Sequence, residues 1–392
     1  MARHYLDHAS TTPLRPESRD AMVAWSAHGI TADPGRVHTE GRMARAALED
    51  ARDQVAALLG VRPRQVVLTS GGTEAVNAAV WGVVAGAAGQ VGVGTGSGVP
   101  SVVCAAVEHS AVRDASARHA AVTTVAVDGA GRIHPDAVAD AVARTTADLG
   151  RAPLLAHCQG ANHEVGTEQD VAAVAARCRT LGVPLHVDAV AAVGHVPFDV
   201  DSSGADLVSV SSHKLGGPAG MGALVLRRGL RIEPLLVGGE QERGRRAGLE
   251  NVIGAIGFGA AAGALAEPGR LAAEAAEARR HTGRLLEAAL AVDGVVAYGD
   301  TDGRVPHIVC LGVSGVEAEP VLVALDQAGV AVHSGSSCSS ESLEPSPVLD
   351  AMGVDGERSL RLSVGWSTTD EDVDAFARAF PAVVGRLRDL AG

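Results

Sequence analysis

Lys214, near the middle of the chain, is the side chain whose surroundings indicate most about chemistry. It follows a short apolar strand pattern, Ala205-Asp-Leu-Val-Ser-Val210, and precedes Gly216-Gly-Pro218, which breaks the chain. A lysine at a strand end, beside His213 and a glycine turn, is placed like an amine in a cleft, where a carbonyl cofactor can form a Schiff base. The alternative is a solvated, unreactive lysine, which is the commoner case at strand ends.

A second segment, Thr69-Ser-Gly-Gly-Thr-Glu-Ala75, has the composition of a phosphate-binding turn. It follows the strand pattern Val66-Val-Leu68 and opens a helical pattern. At such a helix start, Gly72 and Thr73 offer backbone N–H groups, a hydroxyl and the positive end of the helix dipole to a phosphate. An ordinary capped turn, with Thr73 or Ser70 as the N-cap, explains the segment equally well when it is taken alone.

Two further strand patterns lead to polar side chains that suit a ring-shaped cofactor. Asp188 closes one of them, and a carboxylate buried there needs a cation, such as a protonated pyridine nitrogen that makes the ring an electron sink. His109 follows another, and it could stack on the ring and move protons. The alternatives are an aspartate that caps the next turn and a histidine whose hydrogen bonds are satisfied within the cleft.

Cys338 differs from the other cysteines because it lies amid Gly and Ser, in Gly335-Ser-Ser-Cys-Ser-Ser-Glu-Ser-Leu-Glu-Pro345. That composition predicts an exposed loop, where a thiolate can act as a nucleophile. The other four lie in apolar strand or Ala-rich helix patterns and are predicted to be core residues: Cys104, Cys158, Cys178 and Cys310. The five have no Cys-x-x-Cys spacing, so neither a disulfide framework nor a structural zinc site is expected, and a reducing cytoplasm is the expected setting.

Arg361 is the candidate for binding an anionic substrate. It alternates with apolar residues in the strand pattern Leu360-Arg-Leu-Ser-Val-Gly365. An arginine that points inward from such a strand needs an anion, and a substrate carboxylate suits its forked guanidinium. The alternative is an arginine that points outward from a half-exposed strand.

The composition of this 392-residue chain argues against two classes of function. Its net charge of −13 argues against a broad surface that follows nucleic-acid phosphates. The start, Met1-Ala-Arg-His-Tyr-Leu-Asp7, runs directly into a polar turn, so no signal peptide is expected. No apolar stretch is long and uninterrupted enough to span a bilayer, so no membrane partner is expected either.

Strand patterns alternate with Ala-rich helical patterns, which predicts an α/β fold with a mostly parallel seven-stranded sheet. The predicted strands cover residues 65–69, 101–105, 122–127, 153–157, 184–188, 206–210 and 222–226. After about Asn251 the pattern changes to two long helices and shorter strands. We therefore expect a large domain at residues 15–251 and a smaller α+β domain formed by residues 1–14 and 252–392. Residues 86–98, which are rich in Gly, Ala and Val, are predicted to form a surface loop. The alternative, that their glycines bind a phosphate, is less favoured because no helix start follows directly.

Together these segments resemble the cysteine desulfurases, which are fold-type I pyridoxal phosphate enzymes of the class V aminotransferase superfamily. The resemblance extends from Tyr5-Leu-Asp-His-Ala-Ser-Thr-Thr-Pro13 to residues 360–365, nearly the whole chain. Its most specific motifs are Ser211-Ser-His-Lys214, Gly238-Gly-Glu-Gln-Glu-Arg243 and the Cys338 segment at residues 335–346. The last motif is similar to the long-loop branch, which supplies sulfur for iron–sulfur clusters and tRNA thiolation.

The resemblance implies a role for each candidate residue. Lys214 would form the Schiff base with pyridoxal 5'-phosphate and remove the substrate's α-proton, and Cys338 would become a persulfide. The other implied site residues are His109 on the ring, Asp188 at the ring nitrogen, Gly72, Thr73, Ser211 and His213 around the phosphate, His163 near the phenolic oxygen and the substrate carboxylate, and Arg361 at that carboxylate. The implied partners are L-cysteine, a sulfur-acceptor protein of the iron–sulfur scaffold or tRNA thiolase type, and a second copy of the chain in a homodimer.

Three positions depart from the pattern of that family. The family usually has Asn-Asn-Glu where this chain has Asn162-His-Glu164, and a glutamine where it has Ala191. It usually has Arg-Ser-Gly-Thr where this chain has Arg246-Ala-Gly-Leu249, which removes a hydroxyl expected to reach the phosphate of the neighbouring subunit. Losing two hydrogen bonds to charged groups would weaken cofactor binding by roughly two to four orders of magnitude if nothing compensates. A donor on the ring of His163 would compensate in part.

Three functions therefore remain open from the sequence. The first is a desulfurase that passes persulfide sulfur from Cys338 to an acceptor protein. The second is a related pyridoxal phosphate lyase, acting by β-elimination or on selenocysteine, in which Cys338 is dispensable. The third is a catalytically weak relative that acts as a scaffold for sulfur carriers. The presence of Lys214, Asp188, His109, Arg361 and Cys338 together favours an enzyme.

Overall fold

The computed structural model describes residues 3–30, 32–90, 99–335 and 346–391. Cys338 and the end of the 86–98 segment lie outside these described residues. The described strands are β1 (His4–Tyr5), β2 (Val66–Thr69), β3 (Ser101–Ala105), β4 (Ala121–Val125), β5 (Leu155–Gln159), β6 (Leu185–Asp188), β7 (Leu207–Ser211), β8 (Gly222–Leu226), β9 (Val295–Tyr298), β10 (Ile308–Val313), β11 (Val330–Ala331), β12 (His333–Ser334) and β13 (Ser359–Ser363).

The helices lie between and after these strands. They are α1 (Pro16–Ala27), α2 (Thr39–Leu58), α3 (Gly72–Gln90), α4 (Ser110–His119), α5 (Pro135–Leu149), α6 (Val171–Leu181), α7 (Val200–Ser203), α8 (Gln241–Gly244), α9 (Val252–Ala266), α10 (Arg270–Leu290), α11 (Ala318–Gln327), α12 (Pro347–Met352) and α13 (Asp370–Ala391). Among the described residues no single helix is long and apolar enough to cross a membrane. Only α9 and α10 taken together have that length and composition, and a bend of 83° separates them.

A seven-stranded sheet forms the centre of the molecule, in the order β2-β8-β7-β6-β5-β3-β4. β8 runs antiparallel to both of its neighbours, and all other neighbours are parallel, so the prediction of a mostly parallel sheet is confirmed. Every residue of β3, β5, β6, β7 and β8 is buried, as expected when helices cover both faces of a parallel sheet. The four described cysteines are buried too, in agreement with their prediction as core residues.

The register of the parallel strands brings the chemical side chains to one edge. Gln159, Asp188 and Ser209 are aligned across β5, β6 and β7. β7 ends at Ser211, and a turn of 3₁₀-helix over Ser212–Lys214 follows it directly. The carboxyl ends of parallel strands are where α/β folds bind their ligands.

A four-stranded antiparallel sheet, in the order β12-β13-β10-β9, lies in the C-terminal part of the chain. Its core includes Leu285 of α10, Leu325 of α11 and Phe376 of α13. β1 pairs in parallel with β11, so the N-terminal segment packs against this part of the chain.

The domain boundary near residue 251 stays a prediction, and the packing of α9 is relevant to it. Phe258 and Leu265 of α9 belong to the same core cluster as Val187 in the central sheet. Leu285 of α10 belongs to the other core. α9 is therefore continuous with the core of the large sheet, and α10 is the first helix of the smaller core.

The prediction of a loop at residues 86–98 is wrong for its first part, because α3 continues to Gln90. Gly86, the first glycine of that segment, lies within the helix, where an added Cβ would meet Glu233 Cγ at an ordinary 3.9 Å. Gly82, one turn earlier in α3, is needed for a close approach, because an added Cβ there would lie 2.6 Å from the Cβ of Ile232. Each interior glycine costs about 1 kcal/mol relative to alanine, which burial of Val80 and Val84 against α4 can outweigh.

Candidate active site

A cavity of about 260 Å³ opens at the carboxyl edge of the central sheet. Nine of the ten predicted site residues line it: Gly72, Thr73, His109, His163, Asp188, Ser211, His213, Lys214 and Arg361. The tenth, Cys338, lies outside the described residues. Residues 8–10 of the N-terminal segment and Ile308 of β10 are among the other lining residues, so the cavity lies between the two sheets.

Lys214 is held by the N-terminal segment. Its Nζ donates hydrogen bonds to the main-chain oxygens of Ala9 and Ser10, the latter at 2.8 Å. His195 donates through Nε2 to the main-chain oxygen of Lys214 at 3.1 Å. The amine therefore lines the cavity on a short turn and is tethered to the N-terminal segment.

The segment that we call the phosphate loop, residues 69–73, leads from β2 into α3. α3 begins at Gly72, so Thr73 lies in its first turn and not before it. An added Cβ at Gly72 would lie 2.9 Å from Val190 Cγ2 and 3.4 Å from Ser211 Cβ, which explains why glycine is needed here. The loop and Ser211 thus meet at one end of the cavity, where the N–H groups at the start of α3 can bind an anion.

Asp188 and His109 lie elsewhere on the same wall. Asp188 is 8% exposed, and its Oδ1 accepts a hydrogen bond from the N–H of Val190 at 3.0 Å. The Nδ1 of His109 accepts from the N–H of Ala111 at 3.0 Å, which caps α4 and leaves Nε2 to carry the ring proton in the neutral form. His109 contacts the ring of His163 edge to face, with 5.0 Å between the centroids.

Arg361 points inward from β13 and is only 2% exposed, so the alternative of an outward arginine is wrong. Its Nη2 lies 2.9 Å from Asp7 Oδ1, and its Nη1 donates to the main-chain oxygen of His163 at 3.0 Å. Asp7 was missed as a site residue, although it lies in the N-terminal motif. A substrate carboxylate would share this guanidinium with Asp7.

His163 occupies the position at which the family has an amide. Its Nε2 lies 3.4 Å from Oε1 of Glu164, which is buried. Ala191 also lines the cavity, and its methyl group cannot replace the donor expected there. His163 is therefore the side chain of this pair that can donate to a bound ligand.

Burial keeps several imidazoles near Lys214 uncharged. Burial, and then the charge of Lys214, lowers the pKa of His213 to about 4. Burial also lowers the pKa of His195 to about 3 and that of His307 well below its usual value. His195 and His307 stack with centroids 3.5 Å apart. Neither His195 nor His307 was predicted as a site residue. His195 follows Gly194 and His307 follows Pro306, and neither lies in a motif that indicates a cofactor site.

Glu108, which precedes His109, is a second residue that sequence reasoning missed. It is 1% exposed, and burial raises the pKa of its carboxyl well above the usual range, with Asp188 adding to the shift. Of these two carboxyl groups, that of Asp188 lines the cavity.

The residues present fit pyridoxal 5'-phosphate. An amine for the carbonyl, a carboxylate for the ring nitrogen and a glycine-bearing helix start for the phosphate face one cavity. Gly72 leaves a space that a Cβ would fill. The lining therefore supplies an amine, a carboxylate and an anion-binding helix start, whereas Ala191 supplies no donor to the ring.

Comparison with known proteins gives a consistent result. The family described as Aminotransferase class-V matches residues 4–376. The chain is 36% identical to a cysteine desulfurase IscS of Dictyoglomus turgidum, over 99% of this chain and 96% of that protein. It is 37% identical to an IscS-like cysteine desulfurase of Mycobacterium tuberculosis, over 99% and 98%. A solved NifS-like protein superimposes with a TM-score of 0.86 at 27% identity, covering 98% of this chain and 100% of that one. The chain belongs to the class-V aminotransferase family.

Proposed function

We propose that this chain is a pyridoxal phosphate-dependent cysteine desulfurase, which converts L-cysteine to L-alanine and transfers the sulfur to Cys338. The observation that carries the proposal is the convergence of Lys214, Asp188, His109 and Arg361 on one cavity. The full-length relatives that are named cysteine desulfurases support the same activity.

In this proposal each residue has one task. Bound pyridoxal phosphate supplies an electron-withdrawing ring that stabilises negative charge at the substrate's Cα. Asp188 holds the ring nitrogen protonated, and Arg361 orients the substrate carboxylate. Lys214 takes the α-proton on Nζ, and His109 moves a proton at Nε2.

The sulfur leaves by nucleophilic attack. The Cys338 thiolate attacks the substrate Sγ, an S–S bond forms and the Cβ–Sγ bond breaks. The electron pair of the broken bond stays with the carbon, which is protonated to give alanine. Cys338 is left as a persulfide, and a sulfur-acceptor protein takes its outer sulfur. The acceptors we propose are an iron–sulfur scaffold or a tRNA thiolase, in the cytoplasm.

We further propose a homodimer, built around the segment that precedes α9. Leu236, Val237 and Leu249 are 41%, 79% and 66% exposed in the single chain. Apolar side chains exposed together on one segment favour an interface between proteins. The second copy would place this segment near the cofactor cavity.

The test is to incubate cofactor-loaded protein with L-cysteine and to measure alanine together with persulfide on Cys338. We expect the two products in step, and we expect Cys338→Ser to abolish the persulfide while leaving the cofactor bound. Cys178→Ser is the matched control, because that thiol is buried on α6. Pyruvate in place of alanine, or sulfur transfer by Cys338→Ser, would indicate a different lyase. A protein that binds the cofactor but releases no product would favour the scaffold.

A further inference from the structure

The phosphate loop contacts two cavities. Its last two residues, Gly72 and Thr73, line the large cavity, whereas Thr69 and Ser70 line a second one of about 80 Å³. Glu242 and Arg246, from the segment at residues 241–246, also line this second cavity. The loop therefore lies between the predicted cofactor site and two charged side chains that the reaction does not use.

Glu242 fixes the strand that leads into the loop. Glu242 and Arg243 have φ values of 49° and 60°, a conformation that residues other than glycine seldom adopt. The buried carboxylate of Glu242 accepts hydrogen bonds from Arg52 at 2.6 and 2.8 Å and from the N–H of Leu68 at 2.9 Å. This unusual turn is thus held firmly against the end of β2.

Arg246 reaches the loop itself, through Glu74 in the first turn of α3. Its Nε and Nη2 donate to the two carboxylate oxygens of Glu74 at 2.9 and 3.3 Å. Glu74 Oε2 also accepts from the N–H of Ser70 at 2.8 Å. Burial opposes the ionisation of Glu74, but the hydrogen bonds from Arg246 and Ser70 outweigh it and lower its pKa. The pair is therefore ionised, and it fixes the beginning of the loop.

A carboxylate in this place creates an electrostatic problem for the site. Glu74 and the phosphate of the cofactor would both lie at the start of α3, and like charges at one helix end repel each other. Arg246 offsets this repulsion because its positive charge pairs with the carboxylate of Glu74. The same pairing keeps that carboxylate hydrogen-bonded to the N–H of Ser70. Without the guanidinium, Glu74 would oppose phosphate binding and would no longer be fixed in position.

We propose that Arg246 is a positioning residue for the phosphate of the cofactor, acting through Glu74 and Ser70. This inference rests on the proposed function, because it assumes that pyridoxal phosphate binds with its phosphate at residues 69–73. It assigns Arg246 no contact with the substrate. The role is selective for the phosphate, and it therefore separates binding of pyridoxal phosphate from binding of pyridoxal.

The experiment measures the dissociation constants of pyridoxal phosphate and of pyridoxal, by absorbance titration of the full chain after removal of its cofactor. We expect Arg246→Gln to weaken pyridoxal phosphate binding by about 10- to 100-fold and to leave pyridoxal binding nearly unchanged. The double variant Glu74→Gln/Arg246→Gln should recover most of the affinity, because no carboxylate is left without its partner. Glu74→Gln alone should lose about threefold or less.

Arg358→Gln is the matched control, since it breaks a similar pair, with Asp355 at 2.7 Å, next to the small sheet. It should change neither constant. The inference is overturned if Arg246→Gln keeps its affinity for pyridoxal phosphate, if it loses both ligands equally, or if the double variant binds as weakly as the single one.

Two further outcomes keep the result decisive. If the glutamine variant does not fold, Arg246→Lys replaces it. A lysine keeps the positive charge but cannot make the two-pronged guanidinium contact with Glu74. An unchanged preference of this variant for pyridoxal phosphate over pyridoxal would overturn the inference. If the wild-type protein binds pyridoxal as tightly as pyridoxal phosphate, the phosphate site of the proposed function fails, and the inference fails with it.

Discussion

At the scale of single residues, several ionisable side chains that line the cavity are uncharged because they are buried. Burial lowers the pKa of His195 to about 3, and burial together with Lys214 lowers that of His213 to about 4. At neutral pH these imidazoles are therefore uncharged. Lys214 and Arg361 are a lysine and an arginine that line the cavity, and the proposed roles give the cofactor carbonyl to the first and the substrate carboxylate to the second. Substitutions at the proposed site should therefore have distinct kinetic effects.

Asp188→Asn should separate catalysis from cofactor binding. The amide fills the same space, but it cannot hold the ring nitrogen protonated, so alanine release should fall by about two to four orders of magnitude. Cofactor content, measured by absorbance, should stay close to that of the wild type. Asp199→Asn is the control, because Asp199 caps α7. Normal turnover by Asp188→Asn would refute the role of this carboxylate.

Arg361→Lys should act on substrate binding. A lysine keeps the positive charge but cannot make the two-pronged contact with a carboxylate, so KM for L-cysteine should rise by about 10- to 100-fold with a smaller change in kcat. Steady-state kinetics would measure the two constants, with Arg358→Lys, just before β13, as the control. A loss confined to kcat would contradict the assignment.

At the level of secondary-structure elements, the central sheet contains a buried chain of polar side chains. His157 on β5 and His186 on β6 are 3.0 Å apart at Nδ1, and His186 Nε2 lies 2.8 Å from Ser209 Oγ on β7. Burial lowers the pKa of His157 to about 3 and that of His186 well below its usual value. Both imidazoles must stay neutral for the strands to pack.

This pair predicts a loss of stability in acid. The unfolded chain binds protons on these histidines below about pH 6.5, while the folded sheet does not. Stability is therefore fully present above that pH and falls as the pH is lowered toward 3. Between pH 7 and pH 5, each such histidine should remove about 2 kcal/mol from the free energy of unfolding.

Urea unfolding of His157→Gln at pH 7 and pH 5 would measure this contribution. The difference between the two pH values should be about 2 kcal/mol smaller than in the wild type. His134→Gln is the control, because the side chain of His134 is 58% exposed. Equal pH dependence in the wild type and His157→Gln would contradict the prediction.

Strand patterns located much of the fold because buried strands are continuous apolar runs. They could not show that β8 is antiparallel to its neighbours, because an apolar run such as Gly222–Leu226 fits a parallel or an antiparallel strand equally well. Asp188 was predictable because it closes a strand, and Lys214 because it follows one within a short turn. Asp7 and Ser10 were not, because their partners, Arg361 and Lys214, are distant in the chain. Contacts of that kind depend on tertiary packing, which local patterns do not encode.

For the molecule as a whole, the proposed homodimer would decide whether one chain completes the site of the other. Leu249 stands where the family has a threonine, and its side chain is 66% exposed on the proposed interface. If the neighbouring subunit brings this position to the phosphate, Leu249→Thr should tighten cofactor binding by about 10- to 100-fold, the effect of one hydrogen bond to a charged group.

Leu236→Thr, on the same segment and 41% exposed, should not tighten binding and serves as the control. Titration at protein concentrations above and below the dimer dissociation constant, measured by sedimentation, separates the two states. The gain for Leu249→Thr should appear only in the dimer, because the hydroxyl would come from the second chain. A gain that persists in the monomer would mean that Leu249 reaches its own cavity, and equal affinities for both variants would remove the neighbour from the phosphate site.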